Sequence, residues 1–225
     1  MAVNRLQVIP QAKLWWLWAA IALAVGGVIG LLGQAFPALL WLQFEWDKAL
    51  NASGSVALDG IANFAGELYS PKFAIALTLL VAAAIWFFGK SRIDAIAFSV
   101  ITAFGWLPAE AFKLLINEGR PNQSLLSHTV VAAETDNAFP SGHVCFSIAF
   151  GFALWLYFRS SKLKWVALTY WVVSVPLLAW ARLYSGVHYA TDVLGSLCAS
   201  TAGLVLIGYL WDKAMAFLER KANEG

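Results

Sequence analysis

The stretch Arg182-Leu-Tyr-Ser-Gly-Val-His188-Tyr-Ala-Thr-Asp192 places an arginine, a histidine and an aspartate between two long apolar runs. Such groups are costly near hydrocarbon, so the chain is organised around a functional or capping junction here. If a helix follows Tyr189, His188 and Asp192 share one face; Asp192 can then orient the imidazole and leave its other nitrogen nucleophilic. Arg182 adds a planar cation suited to phosphate oxygens. The alternative, which this stretch alone leaves open, is a helix end whose aspartate answers the helix dipole.

The composition is that of an integral membrane protein. Of 225 residues, 60% are hydrophobic and 12% are charged, about half the charged share of a soluble domain. The mean hydropathy is +0.69. A formal charge of +2 is too small to indicate a nucleic-acid partner. Cys145 and Cys198 lie in apolar runs without metal-ligand spacing, so we expect small core residues and neither a disulfide nor a metal site.

Six apolar runs predict an all-α, polytopic membrane protein with six transmembrane helices in one domain over residues 1–225. The alternative interpretation of the first run is a signal peptide, because the small residues near Gly33 loosely resemble a cleavage site. Its length and the Gly26/Gly30 pair favour a retained span. The predicted spans are approximately 14–33, 73–89, 93–118, 142–158, 165–181 and 189–211.

Two of these spans carry unusual residues. The third contains Glu110 and Lys113, which should face protein or water rather than lipid. Glu110 lies three residues before Lys113, so it either pairs with that lysine or serves in packing. The sixth carries Gly195, Ala199 and Gly203 at four-residue spacing, a stripe that predicts close helix packing.

The segment 34–71 mixes aromatic and charged residues, as in Trp41, Glu45 and Lys48. This pattern predicts one or two short amphipathic helices at the membrane surface, in the first outer loop. Its functional interpretation is a lid or a lipid entrance. The alternative, which we favour, is a structural connector.

The distribution of charge predicts the topology. With the amino terminus inside, six spans place ten of the fifteen Lys and Arg residues on the cytoplasmic side, in agreement with the positive-inside rule. Both termini are then cytoplasmic, and three of the five outer cations belong to the polar stretches. The inner cations are Arg5, Lys13, Lys90, Arg92, Arg159, Lys162, Lys164, Lys213, Arg220 and Lys221, and the outer ones are Lys48, Lys72, Lys113, Arg120 and Arg182.

Two further polar segments are predicted to join the first stretch at the outer ends of the spans. Lys113 and Arg120 are seven residues apart and return to nearly the same helix face, so both cations can address one ligand. Ser141 suits the N-cap of the fourth span, whose free amides, beginning near Gly142, form an anion site. His143 can give a proton to a leaving group. Together the segments suit a phosphoryl group in transfer, with cations, a nucleophile and an acid.

The three segments resemble the signature of the type 2 phosphatidic acid phosphatase family, K-x6-R-P, P-S-G-H and S-R-x5-H-x3-D. Their joint occurrence in this order is highly specific. Only Ala181 departs from the signature, because the family usually has serine there. The matching residues are Lys113-x6-Arg120-Pro121, Pro140-Ser141-Gly142-His143 and Arg182-x5-His188-x3-Asp192.

The resemblance implies a role for each matching residue. His188 would be the nucleophile that forms a phosphohistidine, Asp192 would orient it, and His143 would protonate the leaving oxygen. Family members of this kind need neither a metal nor another cofactor. The residues implied to hold the phosphate are Lys113, Arg120, Ser141, Gly142 and Arg182.

We therefore expect hydrolysis of a lipid phosphate or diphosphate at the outer face of a bacterial cytoplasmic (inner) membrane, with the lipid tail between helices. By analogy with compact bacterial members, undecaprenyl diphosphate is favoured over phosphatidylglycerophosphate or phosphatidic acid. The alternatives are a phosphotransferase with a lipid or sugar acceptor and a phospholipid transporter without chemistry.

The loop before Pro140 contains three further candidates, His128, Glu134 and Asp136. They could contact a lipid head group. The favoured interpretation is a solvated loop, because charged loop residues usually face water.

Overall fold

The described part of the chain is helical throughout. A computed structural model describes Leu6, Ile9 and residues 13–224, and these contain no strand, in agreement with the predicted all-α class. Arg5, counted above among the inner cations, lies outside the described residues. The helices are α1 (Trp15–Ala35), α2 (Pro37–Ala52), α3 (Val56–Leu68), α4 (Pro71–Gly89), α5 (Arg92–Trp106), α6 (Pro108–Ile116), a short 3-10 helix (Gln123–Leu125), α7 (Gly142–Phe158), α8 (Lys164–Tyr184) and α9 (Ala190–Glu224).

Within the described residues, five stretches are long and apolar enough to cross a membrane. They are α1, α4, the continuous pair α5 and α6, α8, and α9 up to Lys221. The fourth predicted span corresponds to α7, which is apolar but only 17 residues long. The helix that contains the last predicted span, α9, continues past residue 211 to Glu224. No glycine or proline interrupts residues 211–224, so the polar tail continues the helix.

Local sequence explains the helix ends that lead into the polar loops. Pro108 starts α6, where a missing N–H costs no helix bond. Asn117 ends α6 in the left-handed region, with φ of 49°, a conformation that asparagine tolerates better than most residues. The chain therefore turns sharply after Ile116 and carries Arg120 back toward the other helices.

The most buried helix is α7, which packs against α5, α8 and α9. Small residues bring these helices together. A Cβ atom at Gly203 would overlap the carbonyl oxygen of Phe104 in α5, and one at Gly195 would overlap the Phe139 ring. Ala199 is fully buried. The predicted stripe on the sixth span is thus confirmed as a close-packing surface.

The first predicted glycine pair also lies at a helix contact. A Cβ atom at Gly26 would stand 3.0 Å from Cys198 Cβ, and one at Gly30 would stand 2.9 Å from Phe139. Gly26 therefore lets α1 approach α9, and Gly30 makes room for Phe139 and for Ile116 of α6. Cys145 and Cys198 are both free thiols, as expected.

Helix α2 turns its polar side inward. Gln43, Asp47 and Asn51 are buried, whereas Trp41 and Trp46 are 57% and 66% exposed. The Gln43 side-chain oxygen accepts from the Thr191 N–H at 2.8 Å, and the Asn51 amide donates to the Tyr184 carbonyl at 3.0 Å. The polar side of α2 therefore holds the junction between α8 and α9.

Candidate active site

The structure brings the three predicted segments together. Lys113 lies in the last turn of α6, and Arg120 follows in the loop after it. Arg182 lies in the last turn of α8, and a ring nitrogen of His143 lies within 4.8 Å of one of His188. The remaining predicted residues are Ser141 and Gly142 at the start of α7, and Asp192 in the first turn of α9.

The pair formed by His188 and Asp192 is fully buried. His188 Nδ1 lies 3.0 Å from Asp192 Oδ2. The same oxygen accepts the Tyr189 N–H at 2.9 Å, and this second bond anchors the start of α9. Asp192 therefore does both things that the sequence allowed, since it orients the imidazole and caps a helix start.

A guanidinium group fixes the protonation of His188. Arg120 Nη1 lies 3.1 Å from His188 Nε2. Because a guanidinium only donates, Nε2 must accept, and the ring proton is on Nδ1, facing Asp192. Arg120 is itself held by donation from Nη1 to the Val187 carbonyl at 2.7 Å. The lone pair of Nε2 is thus directed toward the cluster of cations.

Two loop carboxylates bind the predicted phosphate cations. Glu134 bridges Arg120 Nη2 at 2.7 Å and Arg182. Asp136 bridges Arg120 Nη2 at 2.7 Å and Lys113. The expectation of a solvated loop is therefore wrong for both residues, because two buried guanidinium groups and a buried ammonium group need counter-ions.

The structure also decides two smaller points about charged residues. Of the two roles left open for Glu110, pairing with Lys113 is not formed, because Lys113 pairs with Asp136. His128 is not simply solvated, because its Nδ1 lies 3.0 Å from Asp59 in α3. The backbone N–H of His128 also donates to Oδ1 of Asn51 in α2 at 2.8 Å. His128 therefore ties the loop to α2 and α3.

The start of α7 combines a predicted position with an unexpected contact. Ser141 occupies the N-cap position, but its side chain forms no cap hydrogen bond and its Oγ is buried without a partner. The Ser141 N–H donates to the Asp192 carbonyl at 3.3 Å, which joins the starts of α7 and α9. His143 Nε2 donates to the Gly66 carbonyl in α3 at 3.1 Å.

Helix α3 forms a wall of the site. Besides accepting from His143, Gly66 lets the Arg182 guanidinium approach, since a Cβ atom there would lie 3.1 Å from Nη1. The favoured interpretation of residues 34–71 as a mere connector is wrong for this part of α3. Sequence reasoning missed it because Gly66 acts through its backbone.

An open pocket of about 960 Å³ contains the cluster. Its lining includes the histidines and cations described above. The lining also includes Trp106, Leu107 and Pro71, and Leu107 is more than half exposed. The indole Nε1 of Trp106 is buried and has no acceptor. The pocket lining thus combines the charged cluster with apolar side chains from α4 and from the junction of α5 and α6.

The electrostatics of the pocket favour a neutral imidazole at His188. Burial lowers the pKa of His188 well below its usual value, and Arg120 and Arg182 lower it further. Burial alone would raise the pKa of Asp136, but Lys113 and Arg120 outweigh it and hold that pKa below its usual value. Near neutral pH, His188 is therefore uncharged and Asp136 is ionised.

Three groups in the pocket have the chemistry of metal ligands. One ligand atom each from Glu134, His143 and His188 lie within 4.8 Å of one another. Two imidazoles and a carboxylate suit zinc. However, Glu134 is already paired with Arg120 and Arg182, and these cations oppose a further positive charge. The donor set fits an anion site better than a cation site.

Ala181, the one departure from the family signature, is fully buried in the apolar core. Its carbonyl accepts the Ser185 N–H at 3.0 Å within the last turn of α8. Its side chain therefore adds packing but no polar group beside Arg182.

Comparison with known proteins gives consistent results. Residues 94–216 match the PAP2 superfamily. Undecaprenyl-diphosphatase BcrC of Bacillus subtilis is 30% identical over 174 residues, covering 76% of this chain and 82% of the relative. Putative undecaprenyl-diphosphatase YbjG of Escherichia coli is 27% identical, covering 64% and 71%. The crystal structure of a transmembrane PAP2-type phosphatidylglycerolphosphate phosphatase from Bacillus subtilis has a similar fold, with a TM-score of 0.70, 19% identity, and coverage of 87% and 96%.

Proposed function

The chain belongs to the PAP2 superfamily and is a membrane phosphatase, and we propose that it hydrolyses a lipid diphosphate through a phosphohistidine on His188. The observation that carries this proposal is the hydrogen bonding of that imidazole. Nδ1 keeps its proton against Asp192, and Nε2 presents a lone pair beside Arg120. This lone pair accepts from Arg120 here and becomes nucleophilic when a phosphoryl oxygen takes over the Arg120 N–H.

In the first step, His188 Nε2 attacks phosphorus and the bond from phosphorus to the leaving oxygen breaks. Lys113, Arg120 and Arg182 bind the phosphoryl oxygens, with the Ser141 hydroxyl and the Gly142 amide as neutral donors. To bind there, the phosphoryl group has to displace Glu134 and Asp136 from the cations. The negative charges of Glu134 and Asp136 resemble those of the phosphoryl group that displaces them.

The leaving oxygen takes a proton from His143, which acts in its doubly protonated form with the negatively charged phosphoryl group beside it and is left as a neutral imidazole. That imidazole lies beside His188, and its Nε2 proton points at the Gly66 carbonyl in this structure. The substrate therefore has to draw this N–H away from Gly66. Water then attacks the phosphorus of the phosphohistidine and gives its proton to neutral His143, and the bond between phosphorus and Nε2 breaks, which releases inorganic phosphate and restores both histidines.

The proposed substrate is a polyprenyl diphosphate such as undecaprenyl diphosphate, with phosphatidylglycerophosphate and phosphatidic acid as alternatives. Two sequence relatives are named as undecaprenyl-diphosphatases, whereas the fold neighbour is named for phosphatidylglycerolphosphate. Leu107 and Pro71, two apolar residues of the pocket lining, suit contact with a lipid tail. The head group then reaches the cations from the membrane.

The direct test is phosphate release by purified protein from these three lipids, with a metal chelator present. We expect activity with the chelator and highest kcat/KM for the diphosphate. His188→Ala should lower kcat at least about 10³-fold, because it removes the nucleophile. His128→Ala is the matched histidine control and should keep most activity. A requirement for added metal, or an active His188→Ala protein, would contradict the mechanism.

The same assay separates the alternative functions. Transfer of labelled phosphate to an added lipid or sugar alcohol would indicate a phosphotransferase. Movement of phospholipid across vesicle membranes that survives in His188→Ala would indicate a transporter.

We propose six spans, including α7, with both termini in the cytoplasm of a bacterium and the site at the outer face of the membrane. The charge distribution supports this topology. In a protein without native cysteines, Ser124→Cys in the polar loop should react with an impermeant thiol reagent on intact cells. Ser160→Cys, between α7 and α8, should react only after lysis. The reverse pattern would place the site inside.

A further inference from the structure

Glu118 is a buried acid that no motif assigns. It follows the turn at Asn117 and is 3% exposed. Its carboxyl packs against α1 so closely that a Cβ atom at Gly33 would overlap Oε2. Its carbonyl accepts the Ala138 N–H at 2.8 Å, which fixes the loop around it. The side chain is thus held in one place without a cation partner among the described residues.

Three carboxylate oxygens meet here without a donor. They are both oxygens of Glu118 and Oδ1 of Asp192, and the two carboxyl groups lie within hydrogen-bonding reach of each other. Two ionised carboxylates in contact and away from water repel each other strongly. A single proton between them removes the repulsion and gives the orphaned oxygens a hydrogen bond.

The proton belongs on Glu118. Asp192 already accepts two hydrogen bonds at Oδ2, from His188 and from the Tyr189 N–H, and these stabilise its ionised form. Glu118 accepts none, and burial raises its pKa above the usual range for glutamate. A neutral Glu118 therefore donates to an ionised Asp192.

The surrounding charged groups fit this assignment. Arg120 acts as a cation on Asp192. The Tyr189 hydroxyl stays protonated, because burial is the main cause that raises its pKa to about 12. Asp47 is a second buried acid whose Oδ2 has no partner, but only Glu118 is in reach of Asp192 with both carboxyl oxygens unbonded.

We propose that Glu118 is a positioning residue whose protonated carboxyl donates to Asp192 Oδ1 and so holds Oδ2 against Nδ1 of His188. This inference rests on the proposed function, in which His188 is the nucleophile. With both carboxylate oxygens bonded, Asp192 cannot rotate away from the imidazole. The proton that Glu118 supplies also withdraws charge from Asp192, so the Nδ1 proton stays on His188.

The kinetic test compares Glu118→Leu with Glu118→Gln. Leucine cannot donate, so kcat should fall about 10- to 100-fold, as for other groups that orient a catalytic residue. KM should change little, because the phosphate cations are intact. Glutamine can donate through its amide and should restore most of the lost kcat. Equal kcat values in the wild-type protein and both variants would overturn the proposal.

The pH dependence gives a readout that simple packing would not change. When the pH rises past the raised pKa of Glu118, its carboxyl ionises and repels Asp192, so wild-type kcat should fall on the alkaline side. Glutamine cannot ionise, so Glu118→Gln should keep its kcat at higher pH. An identical alkaline limb in both proteins would contradict the proposal.

Infrared spectroscopy tests the shared proton without any activity. Wild-type protein labelled with ¹³C-carboxyl glutamate should show the C=O band of a protonated glutamic acid near neutral pH. The band should shift in Asp192→Asn and disappear in Glu118→Gln, but persist in Asp47→Asn, which removes a different buried acid. Absence of the band overturns the proposal even if the phosphatase is active. A band in a protein inactive on every lipid leaves the pair in place and rejects the proposed function.

Discussion

At the scale of single residues, Arg120 determines the tautomer and the orientation of His188, the proposed nucleophile. It bonds His188 Nε2, the Val187 carbonyl and two loop carboxylates at once. Only a planar fork of five N–H donors can do this, since a lysine ammonium has three donors at one point. The arginine therefore fixes both the ring proton of His188 and the place where a phosphoryl oxygen binds.

Trp106 predicts a further substrate contact. Its buried Nε1–H has no acceptor, and a Cβ atom at Gly142 would lie 3.4 Å from it. We expect this N–H to donate to a phosphate oxygen. Trp106→Phe keeps the edge contact with Phe146 but loses the donor, so KM should rise roughly 2- to 10-fold. Trp155→Phe, away from the pocket, is the control; equal KM values in all three proteins would refute the contact.

At the scale of elements, the loop between α6 and α7 covers the proposed phosphate site. Its carboxylates pair with the cations that we expect to bind phosphate. Asp136 pairs with Lys113 and Arg120 but is about half exposed, so these ion pairs contribute little to binding the loop. Asp136→Asn should strengthen inhibition by inorganic phosphate roughly 2- to 5-fold, because the cations no longer lose a counter-ion when phosphate binds. Glu45→Gln breaks a comparable pair with Lys48 elsewhere and should have no effect. Weaker inhibition in Asp136→Asn would show that the loop assembles the site instead.

The apolar helices and the three polar segments could be predicted from sequence, because apolar runs and costly polar groups leave clear local patterns. The partners of Glu134 and Asp136 could not, since the fold of an irregular loop decides which cations they meet. Gly66 left no signal because it acts through a carbonyl. The only sequence signal for Glu118 was its position two residues before Arg120. Its burial beside Asp192 depends on the turn at Asn117 and on Gly33 of α1.

At the scale of the whole molecule, the inward polar side of α2 makes stability depend on pH. Burial raises the pKa of Asp47 to about 8, whereas the unfolded chain ionises near 3.8. Between these values only the folded chain keeps the proton, so the free energy of unfolding falls as pH rises, by at most about 1.4 kcal/mol per pH unit.

Asp47→Asn removes this dependence. Its melting temperature in detergent, relative to the wild-type protein, should therefore rise between about pH 4 and pH 8. Asp59→Asn is the contrasting control. The pKa of Asp59 is lowered by hydrogen bonds from Tyr184 and His128, opposed by burial, so its removal should cost stability mainly at the higher pH. A difference for Asp47→Asn that does not vary with pH would refute the buried-acid interpretation.

The pairing of Glu134 and Asp136 with the cations has a consequence for selectivity in a crowded bilayer. Diester phospholipids, which vastly outnumber any terminal phosphate in a membrane, carry one negative charge on each phosphate. Such a head group cannot replace two carboxylates without leaving a guanidinium or ammonium group uncompensated. A terminal monoester or pyrophosphate carries enough charge to do so. In the proposed mechanism, Glu134 and Asp136 therefore exclude diester phospholipids from the site, because these lipids carry too little negative charge to displace both carboxylates.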